Sequence, residues 1–225
     1  MSGKPRLVAL TLLLAPLLMA MDFSSWIEAT DRRSNGIILQ FMADSDLTTR
    51  LQAARLLGSR QDPYVADIMA GLYAGLGGQD IHQEELVLRV LLAAVFPAAL
   101  SPAQLSGRAL INLEGVDLLV LDLPRFHDPY LRAEIIRLGA CLKKAEYPAR
   151  LLAESNRIVR SLETAQGEAE PGLAVLIAAF LEAAKSLEQP DFLDPCLRIY
   201  VLSRQERISK QALETIRALG RRVKP

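Results

Sequence analysis

The chain has 225 residues, of which 51% are hydrophobic and only 5% are aromatic, and its 26 basic side chains balance its 26 acidic ones. This composition excludes an intrinsically disordered chain, because it can bury enough apolar surface to offset the entropy of ordering. The balance of charge argues against a general nucleic-acid-binding protein and against an acidic tail.

The first twenty residues differ in composition from the remainder. Lys4 and Arg6 precede a run of 13 uncharged, mostly apolar residues, which ends just before the small residue Ala20. A basic start, a short apolar core and a small residue at the cleavage position are typical of a secretory signal peptide. The run is shorter than the roughly 20 apolar residues of a membrane-spanning helix. The sequence therefore predicts a signal peptide at 1–20, although the large Leu18 leaves an uncleaved signal anchor as the alternative.

Amphipathic helices are predicted along the rest of the chain, in one domain at 21–225. Apolar residues recur every three or four positions, which is the spacing of one helix face, and period-two alternation is almost absent. The predicted helical segments are Leu47–Leu57, Tyr64–Leu76, Leu86–Phe96, Tyr130–Leu142, Leu151–Leu162, Leu173–Leu187, Leu197–Leu202 and Ile208–Leu219. The sequence therefore predicts an all-α fold, with Leu173–Leu187 as its most buried helix.

Several of these helices are predicted to begin at a polar residue followed by proline. The side-chain oxygen accepts hydrogen bonds from the free amides of the first turn, and proline has no amide that would need a partner. The pairs of this kind are Asp62-Pro63, Ser101-Pro102, Asp128-Pro129 and Asp194-Pro195, with Glu170-Pro171 as a weaker example. Glycines such as Gly167 are predicted to end helices, because glycine readily adopts the left-handed conformation.

The three Asp-Pro pairs are evenly spaced along the chain. Asp62, Asp128 and Asp194 follow one another at intervals of 66 residues. That length holds about four short helices, whose apolar faces need neighbouring helices to cover them. The spacing predicts an internal repeat. The alternative is coincidence, since the three segments share little identity outside these tripeptides and Asp-Pro is a common helix start.

Two stretches of the sequence resemble a known helical repeat. The stretch 46–63 contains Asp46, then Arg50 one turn later, then a Leu-Gly pair and a second Asp-Pro pair, and 126–139 has a similar order of residues. Both are similar to the second helix and following turn of a HEAT repeat. The resemblance to HEAT-like, armadillo-type proteins implies a short curved α-solenoid of stacked helical hairpins that binds other macromolecules.

The same resemblance implies a structural role for a set of aspartates and arginines. In such folds an aspartate in the turn and an arginine one turn into the helix often join neighbouring repeats. The positions that match are Asp46, Arg50, Asp62, Asp128, Arg132, Asp194 and Arg198. Three of the aspartates lie four residues before an arginine, which also allows a local ion pair worth a few tenths of a kcal/mol.

The two cysteines outside the signal segment do not form a recognisable site. Cys141 and Cys196 lie 55 residues apart at apolar positions of predicted helices, which favours buried free thiols over a disulfide framework. Neither has a second cysteine or a histidine at ligand spacing. The sequence therefore predicts no metal site and no cofactor.

Few residues suggest catalysis. His82 and His127 each precede a predicted helix, and neither belongs to a recognisable nucleophile motif. Glu84 and Glu85 could serve as carboxylates in glycoside hydrolysis, but adjacent acids in the first turn of a helix more often interact with its positive end. No catalytic residue is assigned, and a helical envelope enzyme that acts on glycans through one of these two glutamates remains the alternative function.

The C-terminal segment has the one marked charge asymmetry in the sequence. From Leu197 to Pro225 there are eight basic residues and two acidic ones. Four of the basic residues have the spacing of one helix face: Arg207, Lys210, Arg217 and Arg221. They predict contact with an anionic envelope surface or an acidic partner, and the alternative is a solvated helix end. No aromatic residue follows Tyr200 to stack on bases, so no nucleic-acid partner is predicted.

These features together predict an exported, non-catalytic protein-interaction or scaffold module of the bacterial periplasm or cell envelope. Its expected partner is a protein held by the concave face of the helical stack. The sequence makes no prediction of the oligomeric state.

Overall fold

The computed structural model describes residues 33–60, 68, 71–74, 80–95 and 114–221. The α-helices that lie wholly within these ranges are α1 (Leu47–Arg60), α2 (Ile81–Val95), α3 (Glu114–Leu121), α4 (Pro129–Leu142), α5 (Tyr147–Thr164), α6 (Pro171–Leu187), α7 (Leu193–Leu202) and α8 (Glu206–Gly220). Short 3₁₀ helices at Leu123–Arg125 and Pro190–Phe192 precede α4 and α7. No strand occurs in the described ranges, and the predicted all-α fold is confirmed.

Apolar periodicity predicted most of these helices but missed two helical stretches. No helix was predicted for α3 or for residues 33–41, both of which are helical in the structure. α3 has only eight residues, which is too short for a helical period to be read clearly. The predicted helix at Tyr64–Leu76 lies mostly outside the described residues, as do the signal segment 1–20 and the predicted starts at Asp62 and Ser101.

The predicted helix starts were correct at α4 and α6 and displaced at α7. Asp128 caps α4, because its carboxylate accepts a hydrogen bond from the Tyr130 amide at 2.9 Å. α6 begins at Pro171, directly after Glu170. α7 begins at Leu193, so Asp194 lies inside the first turn and does not cap it. The reason is that the preceding 3₁₀ helix runs straight into α7.

α6 lies at the centre of the C-terminal half. Its residues 174–181 carry no charge, and a helix that is apolar nearly all round must be covered on several sides. α6 packs against α4, α5 and α8. Its start lies so close to α4 that a Cβ added to Gly172 would be 2.6 Å from Cγ of Pro129. The helix is covered on several sides as expected, but it is not the most buried one, because 7 of the 14 residues of α4 are buried against 7 of the 17 residues of α6.

The remaining helices extend the packing on both sides of α4 and α6. α1 packs on α2, α2 on α4, and α7 on both α8 and α5. α4 packs far more extensively on α6 than on α5, its neighbour in sequence. Consecutive helices therefore do not always form the closest pairs. Within the described ranges, no helix combines the length and the apolar character needed to cross a bilayer.

Candidate functional site

The three arginines predicted to join repeats each bind a glutamate on another helix. The pairs are Arg50 with Glu84, Arg132 with Glu154, and Arg198 with Glu163 at 2.7 Å. The first pair joins α1 to α2. The other two glutamates both lie on α5, so this helix receives one arginine from α4 and one from α7. Each arginine thus joins two different helices through residues 22 to 35 positions apart.

The predicted aspartate partners are engaged differently. Asp46 accepts hydrogen bonds from the hydroxyl of Thr49 at 2.8 Å and from its amide at 2.9 Å, and these bonds hold the pKa of Asp46 below its ordinary value. Asp128 binds Arg89 of α2 at 3.0 Å, and Asp194 is exposed. Among the described residues none of the three pairs with the arginine four positions later. At Asp46 and Asp128 a free amide of the helix start binds the carboxylate, which leaves the arginine for a glutamate elsewhere.

The Arg132–Glu154 pair is the most buried of the three. The side chain of Glu154 is 1% exposed, while that of Arg132 is 19% exposed. Nε of Arg132 and Oε2 of Glu154 have no hydrogen-bond partner within the described part of the chain. The two charges therefore depend on each other, because removing one partner would leave the other charge buried and unpaired.

The start of α4 is held by a buried carboxylate from α2. Glu85 is fully buried, and its two oxygens accept hydrogen bonds from the amides of His127 and Asp128, each at 2.6 Å. The ring nitrogen Nδ1 of His127 lies 3.3 Å from the same carboxylate. Together with the bond between Arg89 and Asp128, these contacts fix the start of α4 against α2.

These contacts also engage the two carboxylates that the sequence suggested for glycan hydrolysis. Glu84 binds Arg50 of α1, whereas Glu85 binds backbone amides before α4, so two different elements hold the two side chains. His82 is exposed on α2. No group of three or more histidine, cysteine, aspartate or glutamate side chains in the described ranges is placed to hold a metal ion.

A second polar cluster anchors α3, the helix that the sequence did not predict. The hydroxyl of Tyr147 is fully buried and donates to Asp117 of α3, and Lys144 binds the same carboxylate. Burial is the largest cause of a raised pKa of Tyr147, which keeps the hydroxyl protonated as a donor. The cluster joins α3 to the start of α5.

The two cysteines are free thiols in different surroundings. Cys141 on α4 is half-buried and Cys196 on α7 is fully buried. Burial raises the pKa of both thiols, that of Cys196 to about 12. A thiol with so high a pKa is a weak nucleophile near neutral pH.

An open cleft of about 960 Å³ lies where α4 and α6 begin and α5 ends. Its polar lining includes His127, Arg160, Glu168, Glu170 and Gln205. Gln205 donates to the carbonyl of Ala169 at 2.7 Å, which holds the linker between α7 and α8 against this edge. The lining carries both signs of charge, so it favours no single class of ligand.

The exposed side of α7 is apolar. Leu197, Tyr200 and Val201 are 43%, 41% and 76% exposed and follow the spacing of neighbours on one helix surface. We call these three residues the apolar strip. On the opposite side of α7, Cys196 and Ile199 are fully buried. α7 therefore has one apolar face in the core and a second in solvent.

The exposed side of α8 is basic. Its buried face consists of Ile208, Ala212, Thr215 and Leu219. The opposite face carries the four basic residues singled out in the sequence, Arg207, Lys210, Arg217 and Arg221, which we call the basic stripe. All four are exposed, and none forms an ion pair within the described part of the chain, although the exposed Glu206 and Glu214 lie among them. The predicted placement on one exposed helix face therefore agrees with the structure.

We call the exposed sides of α7 and α8, which carry the apolar strip and the basic stripe, the outer face of the α7–α8 hairpin. α7 packs on α5 and α8 packs on α6, and both exposed faces point away from those contacts. Sequence reasoning found the stripe but missed the strip. Counting the helical period assigns the apolar residues of α7 to one buried face. The sequence did offer a signal for the strip, because these apolar residues fall on two faces of the helix.

The comparisons with known proteins gave no match. No family model matches the chain, and neither a curated protein nor a solved structure shows significant similarity to it. The HEAT-like resemblance therefore rests on the residues in the sequence that carry it.

Proposed function

We propose that this protein is a non-catalytic interaction or scaffold protein whose contact surface is the outer face of α7 and α8. The observation that carries the proposal is the exposure of the apolar strip on α7 and, on the adjoining helix α8, of four basic side chains that pair with no described residue. Large apolar side chains grouped on a surface and bordered by charge are typical of interaction sites.

The contrast with the interior supports this function. Ion pairs between helices engage Arg50, Arg132 and Arg198, and backbone amides engage Glu85. The basic stripe has no such partner among the described residues. Its charge is therefore available for an acidic molecule or surface, with an attraction that weakens over about 8 Å at physiological salt.

The fold and location belong to the same proposal. The HEAT-like segments favour a short curved α-solenoid of stacked hairpins, and the basic and apolar segment at 1–20 favours export to the periplasm or cell envelope. N-terminal sequencing of the protein from its native cell should begin at or near Met21. A cytosolic chain that starts at Met1 would contradict export. It would not test the proposed interaction surface.

The alternative function is a glycan-cleaving enzyme that uses Glu84 or Glu85. Glu85 is fully buried and could reach a substrate only by releasing the amides of His127 and Asp128. Glu84 would have to leave Arg50. These contacts favour the interaction protein.

Photo-crosslinking in the native cell tests the interaction function. A photoreactive amino acid at position 201, on the outer face, should give discrete crosslinked adducts. The matched control places the same amino acid at position 118, where Leu118 of α3 is also exposed, at 45%. Equal adduct patterns at the two positions, or none at position 201, would refute the outer face as the contact surface.

A further inference from the structure

The helix starts before α4 and α7 correspond over a longer stretch than the Asp-Pro pairs alone. Residues 124–132 and 190–198 share the pattern Pro-x-Phe-x-Asp-Pro-x-Leu-Arg, at the same interval of 66 residues. In both stretches the proline lies in a 3₁₀ helix and the phenylalanine is buried. Positions 66 apart in α4 and α7 can therefore be compared directly.

The comparison shows that an apolar face is buried on α4 and exposed on α7. Leu131 and Ile135 of α4 are fully buried, whereas their counterparts Leu197 and Val201 in α7 are 43% and 76% exposed. Leucine and a β-branched apolar residue occupy these two positions in both helices, whereas the counterpart of Tyr200 is Glu134, which pairs with Arg137. At these positions α4 is covered, whereas α7 is exposed and no other described element packs over it there.

We propose that the apolar strip of α7 binds an amphipathic helix of a partner protein, one with an apolar face bordered by acidic residues. The proposal rests on the function proposed above and names the class of partner. Residues at positions i, i+3 and i+4 form a narrow ridge along a helix, which fits the groove of a second helix. On α4 the two matching apolar positions, Leu131 and Ile135, are buried by protein.

The acidic residues expected on the partner helix follow from the charge of α8. The exposed side of α8 has two more positive than negative charges when Glu206 and Glu214 are included, and α8 packs directly on α7, which carries the strip. Acidic side chains on the partner helix would complement it, and complementary charge gives specificity and faster association. A second copy of this chain is disfavoured, because a symmetric contact through α7 would bring two basic stripes near each other.

A synthetic helix provides the direct test. The probe is a fluorescent peptide with leucines at helical spacing along one face and glutamates along both borders, and its counterpart has lysines in place of the glutamates. Fluorescence anisotropy with the full chain should show binding of the glutamate peptide and at least about tenfold weaker binding of the lysine peptide. Binding of the glutamate peptide should weaken as salt is raised.

Substitutions on the outer face should remove this binding. Val201→Glu introduces a charge into the apolar strip, and it should weaken binding at least about tenfold. Arg217→Glu with Arg221→Glu should weaken binding at low salt without changing the helical circular-dichroism signal. Because these side chains are exposed, the variants should fold, and Val201→Ser provides a milder second variant with the same direction of effect.

Matched controls use exposed residues outside the hairpin. Leu118→Glu on α3 and Arg157→Glu on α5 change side chains of the same kind and should leave binding unchanged. Equal losses in the control and outer-face variants would overturn the proposal. Failure of the glutamate peptide to bind would overturn it as well.

The same test can identify two other occupants of the apolar strip. Binding to vesicles of phosphatidylglycerol and phosphatidylcholine that Val201→Glu abolishes, without peptide binding, would overturn the proposal in favour of an anionic bilayer. Self-association that Val201→Glu abolishes in sedimentation velocity would overturn it in favour of a second copy. Crosslinks at position 201 without peptide binding would refute the helical partner while leaving the interaction function intact.

Discussion

The segments that lead into α4 and α7 share a pattern of six residues, yet α4 is buried on both of its apolar faces and α7 on only one. Ala133 and its counterpart Ile199 are both buried, whereas Leu131 is buried and its counterpart Leu197 is exposed. The local pattern thus fixes a helix and its apolar positions. Neighbouring helices decide which of those positions are covered.

The two helix starts also differ in how they are held. α4 begins at an aspartate cap, and Glu85 of α2 binds the amides that precede it. α7 begins two residues earlier in the pattern, from a 3₁₀ helix and without a side-chain cap. Both helices nevertheless direct the arginine of the pattern to α5.

Truncating the shared leucine should give the largest difference between the two helices. Leu131→Ala is expected to destabilise the protein by about 3 to 4 kcal/mol, since it removes a fully buried side chain and leaves a cavity. Leu197→Ala should cost less than about 1 kcal/mol, because this leucine is largely in solvent. Urea denaturation of the two variants measures the difference. Equal losses would mean that the outer face of α7 is covered within the chain.

Removing the buried carboxylate of Glu85 should destabilise the start of α4 and leave the start of α7 unchanged. Glu85→Ala leaves two backbone amides without their acceptor, and we expect a loss of about 3 kcal/mol. The matched change in α7, Asp194→Ala, should stay within about 0.5 kcal/mol because this carboxylate is exposed and does not cap the helix. Thermal denaturation followed by circular dichroism compares the variants. A stable Glu85→Ala protein would show that the cap is dispensable.

The contact that holds the end of α7 depends on a glycine. Gly167 has a φ of +85°, its carbonyl accepts from the Arg204 amide at 2.9 Å, and an added Cβ would lie 2.2 Å from the Leu202 carbonyl oxygen. Gly167→Ala should therefore cost about 2 kcal/mol through backbone strain and displacement of α7. Gly71→Ala is the control, since open space surrounds that helical glycine. Its unfolding free energy should stay the same or rise by up to about 1 kcal/mol.

The smallest expected effect concerns the two thiols, whose rates of alkylation should reflect how deeply each one is buried. Burial raises the pKa of Cys196 to about 12, so its thiolate is scarce near about pH 8, and alkylation should be slower than at the half-buried Cys141. The thiol form is favoured in the folded chain. Its contribution to stability is therefore complete below about pH 9 and is lost as the pH rises toward 12.

Mass spectrometry of iodoacetamide-labelled peptides measures the two rates. Labelling of Cys196 as fast as that of Cys141 in the folded protein would contradict the burial of the inner face of α7. After unfolding in urea, the two rates should become similar.

Local features were the ones that the sequence could predict. The cap at Asp128 and the left-handed Gly167 depend on a few neighbouring residues, and both are present in the structure. The basic stripe depends on helical spacing alone, and its exposure agrees with the expectation. The start of α7 was misplaced because a 3₁₀ helix joins it without a break, which no residue pattern indicated.

Contacts between distant segments could not be predicted from the sequence. The aspartate–arginine pairing was expected from neighbours in the chain, whereas the glutamates that bind Arg50, Arg132 and Arg198 lie 22 to 35 residues away. Several acids could have met each arginine. Only the packing of the helices selects one of them.

The sequence by itself determined the helices, most of their boundaries and the charge of the last helix, because helical spacing, capping and glycine conformation act over a few residues. The tertiary structure decided that Glu85 is a buried cap and that the apolar strip of α7 faces solvent. Burial depends on which helices pack together, and an apolar residue has the same side chain whether or not a neighbour covers it.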